Sequence, residues 1–128
     1  MSYTKKNLRE VEDSAPKFGF EENQEAHFAT GDLDAENTGV SFHIVHPGKR
    51  QGFGHRHEKA EEVYVVIAGS GRMKLDDEII EIAELDAIRV PPAVTRQFEA
   101  GDEGLHLLAC GARHEGDGEL VFEGFWED

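Results

Sequence analysis

Short apolar runs, each closed by turn residues, occupy most of the chain from residue 39 onward. Proline and glycine pairs such as Pro47-Gly48 and Pro91-Pro92 stand where such runs end. Short strands with turn signals at this spacing are typical of a β-sandwich or β-barrel rather than an α/β fold. The sequence therefore predicts an all-β fold, with strands over residues 40–45, 63–67, 72–75, 78–82, 87–90, 97–99 and 105–110.

The two ends of the chain are less regular than this region. Leu8 and Val11 stand at helical spacing before Pro16, which predicts a short N-terminal helix within residues 5–14. The tail is polar from Gly111 to residue 119 and then becomes rich in large apolar side chains. Burial stabilises each of these by roughly 1.5–3 kcal/mol, so we expect them to cover the barrel or a dimer interface. They are Leu120, Val121, Phe122, Phe125 and Trp126.

The length of 128 residues fits one domain with one core. We find no internal repeat that would divide it. The predicted domain spans residues 1–128, with its core at about 40–110, an N-terminal extension over 1–38 and a C-terminal tail over 111–128.

Charge and composition limit the partners that we expect. Lys and Arg number 13 against 27 Asp and Glu, for a net charge of -14, which disfavours nucleic acids and anionic membrane surfaces. No run approaches the roughly 20 apolar residues of a membrane span, and the N-terminus shows no apolar stretch of signal-peptide length. The single cysteine, Cys110, cannot form an intrachain disulfide. We therefore expect a cytoplasmic protein.

Three residues in the middle of the chain have the chemistry of a metal site. His55 and His57 are two apart, so on a strand both side chains point to the same face. Glu62 precedes the most apolar run, and a turn over residues 58–61 would return it beside the histidines. Two imidazoles and a carboxylate suit a divalent transition metal such as Fe, Mn, Ni, Co or Zn. Mg and Ca prefer oxygen ligands and fit less well.

The stretch Gly54-His55-Arg56-His57 and its continuation to Gly69 resembles the first motif of the cupin family. That motif is His-x-His, four residues, Glu, six residues and Gly. The second motif, a turn into Pro-x-Gly-x-x-His, is similar to residues 86–96. The resemblance covers about residues 40–110 and implies a single cupin jelly-roll β-barrel with the metal inside, held by His55, His57 and Glu62.

The second motif departs from the family pattern at two positions. Ala93 replaces the motif Gly, and Arg96 stands where the resemblance implies a fourth ligand His. A guanidinium is always protonated and cannot bind a metal. Either Arg96 pairs with Glu62 in a metal-free site, or Glu62 binds the metal and Arg96 holds an anionic ligand. His106 is an alternative fourth ligand from the last predicted strand.

The remaining expectations concern the ligand and the assembly. Alternation places Tyr64 on the side of Glu62, as a pocket wall with a hydrogen-bond donor or as an ordinary core aromatic. Alternation from the second motif also places the Arg96 side chain inside the barrel. We expect an anionic, oxygen-rich small molecule in contact with Arg96 and Tyr64. Related cupins include dioxygenases, isomerases and decarboxylases, and the sequence does not separate these from a non-catalytic binding module. Small cupins commonly pair, so we also expect a homodimer.

Overall fold

The computed structural model describes residues 2–114, 116–122 and 125–126. Two short 3-10 turns, Leu8–Glu10 and Ala15–Phe18, precede eight strands. The strands are β1 (Gln24–Phe28), β2 (Thr38–Val45), β3 (Gly54–His57), β4 (Glu62–Leu75), β5 (Glu78–Ala83), β6 (Ala87–Val90), β7 (Arg96–Ala112) and β8 (Gly118–Val121). The prediction of an all-β fold is confirmed.

The long strand β7 organises the sheet. It pairs antiparallel with β2, β3 and β4, while β1 extends the sheet beyond β2, and β8 extends it beyond β3. Strand β4 also pairs with β5 and β6. Because β3, β4 and β7 carry the candidate ligands and Arg96, this pairing brings residues from distant parts of the chain together.

The interior is built from alternate positions of β4 and β7, as expected for strands with one buried face. Tyr64 and Val66 from β4 pack with Phe98, Leu105 and Leu107 from β7, and each of these side chains is at most 2% exposed. Arg96 is buried on the same strand, with 0% of its surface exposed. The predicted alternation of Tyr64 and Arg96 toward the interior is therefore what the structure shows.

The predicted N-terminal helix is much shorter in the structure. Only Leu8–Glu10 forms a 3-10 turn, in which the Asn7 side chain accepts a hydrogen bond from the Arg9 N–H. The chain is already extended at Val11, which caps the turn. Pro16 lies inside the second 3-10 turn rather than after a helix.

Gly69 and Gly71 do not separate two strands, although the sequence predicts separate strands over residues 63–67 and 72–75. They lie inside β4, where its pairing with β7 shifts register between Val66 and Ala68 and again between Gly69 and Gly71. A Cβ on Gly69 would lie 2.0 Å from the Gly104 carbonyl oxygen, and one on Gly71 would lie 2.0 Å from that of Glu99. Glycine is needed here because the two strands approach too closely for a side chain.

The tail returns to the barrel. Its strand β8 pairs with β3, the strand of the two histidines. The Lys74 ammonium lies 4.9 Å from the Phe125 ring centre, and the Arg50 and Arg72 guanidinium carbons lie 4.6 and 5.3 Å from that of Trp126. These two aromatic side chains therefore pack on their own chain.

Candidate metal centre

The His55, His57 and Glu62 side chains converge as the sequence predicts. One potential ligand atom from each lies within 4.8 Å of the other two. The Nε2 atoms of His55 and His57 lie 3.4 and 3.0 Å from the same carboxylate oxygen, Glu62 Oε1. Convergence of two imidazole nitrogens and one carboxylate oxygen fits the ligand set of a divalent transition metal.

Glu62 is held ionised by its neighbours. Burial by itself would raise the pKa of this carboxyl, but hydrogen bonds from His55, His57 and Tyr64 outweigh burial and hold the pKa well below its usual range. The Tyr64 hydroxyl donates to Glu62 Oε1 at 2.6 Å. Burial and the Glu62 charge raise the pKa of Tyr64, so its hydroxyl stays protonated as this donor.

Arg96 is the other partner of Glu62. Its Nη2 donates to Glu62 Oε1 at 2.9 Å, and its Nε donates to the Tyr64 hydroxyl oxygen at 3.2 Å. Its Nη1 donates to the carbonyl oxygens of Val94 and Pro92 at 2.7 and 3.2 Å. The guanidinium therefore makes four hydrogen bonds within the barrel, and its contact with a ligand stays a prediction.

The two histidines are prepared as ligands in different ways. Burial lowers the pKa of His55, which keeps this imidazole neutral near neutral pH, as metal binding requires. For His57 to bind through Nε2, its proton must lie on Nδ1. Asp117 Oδ2 lies 3.4 Å from that buried atom, but the two do not form a hydrogen bond. A carboxylate that accepts from the far nitrogen of a ligand histidine fixes its tautomer and ring orientation, so a small movement of the ring would bring Asp117 into this role.

Asp117 is a residue that the sequence reasoning missed. Its carboxylate also accepts hydrogen bonds from the backbone N–H groups of Glu58, Lys59 and Ala60, and its side chain is only 5% exposed. These bonds hold the loop between the histidines and Glu62 in one conformation. Sixty residues separate Asp117 from His57, so no local motif could have revealed the contact.

His106 does not join the group. It lies on β7 between Leu105 and Leu107, which are both fully buried, so the alternation of the strand points His106 to the opposite face. There its ring contacts Phe42, with the ring centres 6.1 Å apart. Within the described part of the chain, His55, His57 and Glu62 form the one group of acidic, histidine or cysteine side chains with metal-binding spacing.

A pocket of about 240 Å³ lies against the histidine pair and Tyr64. Its other walls come from the 3-10 turn at residues 15–18 and Phe20 after it, from β1, β2 and β8, and from the segment before β3. His43 lines it as well, and the sequence reasoning assigned that residue no role. Burial lowers the pKa of His43 to about 4, with a further contribution from His55, so it is neutral near pH 7.

The sequence profile described as the Cupin domain matches residues 41–111, which is more than half of the chain. The Methanocaldococcus jannaschii protein MJ1618 is 37% identical over 57 residues, which are 44% of this chain and 46% of that protein. The match thus spans about half the length of this curated relative.

Two solved structures with a similar fold match nearly the whole chain. A cupin protein from Bacteroides fragilis superposes with a TM-score of 0.71 at 21% identity, over 98% of this chain and 92% of that one. The polyketide cyclase RemF from Streptomyces resistomycificus gives a TM-score of 0.76 at 18% identity, over 96% and 88% of the two chains. At these identities the superpositions show a shared fold.

Proposed function

The chain belongs to the cupin domain family, and on that premise we propose that it is a metal-dependent cupin that binds a small molecule at His55, His57 and Glu62. The single observation that carries the proposal is the convergence of both histidine Nε2 atoms on one oxygen of Glu62. A divalent metal held there would act as a Lewis acid at the positions that the protein leaves open.

The surrounding residues have separate tasks in this proposal. His55, His57 and Glu62 supply three metal ligands, and Asp117, 3.4 Å from His57 Nδ1, is placed to accept the proton of that nitrogen when the metal binds. Tyr64 lines the pocket, and its protonated hydroxyl donates to Glu62 Oε1 at 2.6 Å; donation to a bound molecule stays a prediction.

We assign Arg96 the role of supporting Glu62 rather than that of a fourth metal ligand. Its guanidinium donates hydrogen bonds to the Glu62 carboxylate and to two backbone carbonyls. Its positive charge lies beside the carboxylate and favours the ionised form of Glu62. The same charge weakens the attraction of the site for a cation.

The Arg96 contact also favours a second candidate, a non-catalytic cupin that holds a small molecule in a metal-free barrel. In that case Arg96 Nη2, 2.9 Å from Glu62 Oε1, takes the place of the metal as the positive partner of Glu62.

The reaction class is open in the first candidate, with dioxygenase, isomerase and decarboxylase chemistry all compatible with three protein ligands. A cytoplasmic location and a homodimer remain predictions. No helix of the described residues is long and apolar enough to cross a membrane.

Cobalt substitution separates the two candidates. Protein purified without a polyhistidine tag is titrated with Co²⁺, and its visible absorption is recorded before and after addition of azide. We expect one Co²⁺ per chain with bands that shift on azide addition, since three protein ligands leave open positions. Unchanged spectra throughout the Co²⁺ titration would favour the metal-free candidate, and bands that do not respond to azide would contradict an open site.

A further inference from the structure

The walls of the pocket beside the histidine pair are apolar. Four phenylalanine side chains and one leucine line it, namely Phe18, Phe20, Phe28, Phe53 and Leu120. The aromatic rings support one another: Phe53 lies 6.4 Å from Phe18, 5.5 Å from Phe20 and 5.8 Å from Phe122 between ring centres. Contact of such a wall with an apolar ligand surface is favourable, because both surfaces are removed from water. Contact with a charged group is unfavourable, because the charge is desolvated without a partner.

The lining offers no side chain to neutralise an anion. Among the described residues that line the pocket there is no Lys or Arg, and the net charge of the chain is -14. Arg96, which the sequence offered as an anion partner, is completely buried and donates to Glu62, Tyr64 and two backbone carbonyls. An anionic ligand would therefore depend on the metal alone for a positive partner.

The size of the pocket limits the ligand. A cavity of about 150 Å³ accommodates one benzene molecule, and this pocket measures about 240 Å³. It therefore has room for a flat molecule of one or two rings. The Phe20 ring packs directly on the backbone of Gly52 and closes one side of the pocket. A Cβ on Gly52 would lie 2.3 Å from this ring, so only glycine fits there.

Besides the ligand histidines, the polar side chains of the pocket are His43, Tyr64 and two buried glutamines, Gln24 and Gln51, whose side-chain oxygens accept from the Gly52 and Phe98 N–H groups. His43 donates or accepts through Nε2 with the Ser41 hydroxyl at 2.8 Å, while its buried Nδ1 has no hydrogen-bond partner. A buried polar atom left without a partner costs free energy, and a ligand hydroxyl or carbonyl would supply one. The Tyr64 hydroxyl lies 3.1 Å from His55 Nε2 on the same lining.

We propose that the ligand of this site is an uncharged molecule with one or two flat rings and an oxygen substituent that reaches His55 and His57, the two metal ligands that line the pocket. The inference rests on the proposed function, since it places the ligand oxygen at the metal. It replaces the anionic, oxygen-rich ligand that the sequence favoured. The ring contacts the phenylalanine wall, and the oxygen substituent lies beside Tyr64 and His43.

Calorimetric titration with three probes tests this inference in both metal-free and Zn²⁺-loaded protein. The probes are 2-naphthol, which is neutral at pH 7, 2-naphthoate, which carries the same rings with a charge, and oxalate, which is charged without a ring. In metal-free protein we expect 2-naphthol to bind at least tenfold more tightly than either anion. Stronger binding of 2-naphthoate or oxalate there would overturn the inference.

Two variants connect the result to the wall. Phe28 is 52% exposed, so Phe28→Ser leaves the core intact, and we expect it to weaken 2-naphthol binding by about fivefold or more. Tyr3 is 83% exposed and does not line the pocket, so Tyr3→Ser is the matched control and should have no effect. Equal affinity of Phe28→Ser and wild type for 2-naphthol would overturn the inference. Absence of 2-naphthol binding would also overturn the inference. This holds even if light scattering shows a dimer in which a second copy of the chain covers the wall.

Metal content, measured on the same samples, separates the two proposals. If the protein binds Zn²⁺ but its metal-free form prefers oxalate, the proposed function stands and this inference is wrong. If the protein takes up no Zn²⁺ but binds 2-naphthol, and Phe28→Ser weakens that binding, the metal-dependent function is wrong and the ring specificity of the pocket stands.

Discussion

Replacement of Arg96 by methionine should destabilise the metal-free protein and tighten its metal binding. Arg96 is fully buried, and its loss leaves Glu62 without a positive partner and the Val94 carbonyl without its 2.7 Å donor. Removal of one member of a buried ion pair costs about 3–5 kcal/mol. We expect a loss in this range for Arg96→Met, because methionine fills much of the volume but donates no hydrogen bond.

Bound metal should reduce that loss. The guanidinium donates to the carboxylate oxygen at 2.9 Å, so a metal on Glu62 would lie close to a like charge. Two unit charges 4 Å apart interact by roughly 4 kcal/mol at an effective dielectric constant of 20. Allowing for screening by water, we expect Arg96→Met to raise metal affinity by about 1–3 kcal/mol, which is roughly 5- to 150-fold.

Urea unfolding with and without saturating Zn²⁺, together with a direct Zn²⁺ titration, measures both quantities. Arg89→Met is the matched control, because Arg89 pairs with the neighbouring Glu61 at 3.3 Å but the two side chains are 62% and 58% exposed. Exposed pairs contribute at most about 1 kcal/mol, so this variant should change neither quantity appreciably. An Arg96→Met protein that binds Zn²⁺ more weakly than wild type would refute the electrostatic reasoning.

Three further predictions concern the tail, pH and assembly. Asp117→Ala should lower metal affinity by about 10- to 100-fold in a Zn²⁺ titration, with partial recovery in Asp117→Asn, and equal affinities would show that the tail does not orient the ligand. His43, whose pKa burial lowers to about 4 from 6.5, stays neutral in the folded state while the unfolded chain takes up a proton, so stability should fall as pH drops from 6.5 to 4. The slope of urea-derived stability against pH should be smaller for His43→Gln, and an unchanged slope would contradict the assignment. Light scattering should give twice the chain mass at micromolar concentration, and the mass of one chain would contradict the predicted dimer.

The part of the site that the sequence predicts is the part that depends on strand periodicity. The two-residue spacing of His55 and His57 fixes their shared face, and the same rule places Tyr64 and Arg96 inside the barrel. Local spacing is enough here because each of these residues lies on a regular strand.

The features that the sequence did not predict depend on contacts between distant segments. Gly69 resembles a turn residue in isolation, and its place inside β4 is explained by the Gly104 backbone, which leaves no room for a Cβ at residue 69. Asp117 reaches the loop before Glu62 because β8 pairs with β3, and nothing local indicates that pairing. The apolar pocket was missed for the same reason, since its phenylalanines come from segments outside the recognised motif.

Metal content of the untagged protein tests the central claim most directly. Wild type, His57→Ala and His114→Ala are loaded with Co²⁺ or Zn²⁺, dialysed and analysed by plasma mass spectrometry. His114 is exposed and lies outside the ligand group, so its variant controls for binding to surface histidines. We predict one metal ion per chain in wild type and in His114→Ala, and less than a tenth of that in His57→Ala. Equal metal content in His57→Ala and wild type would contradict the assignment of the site.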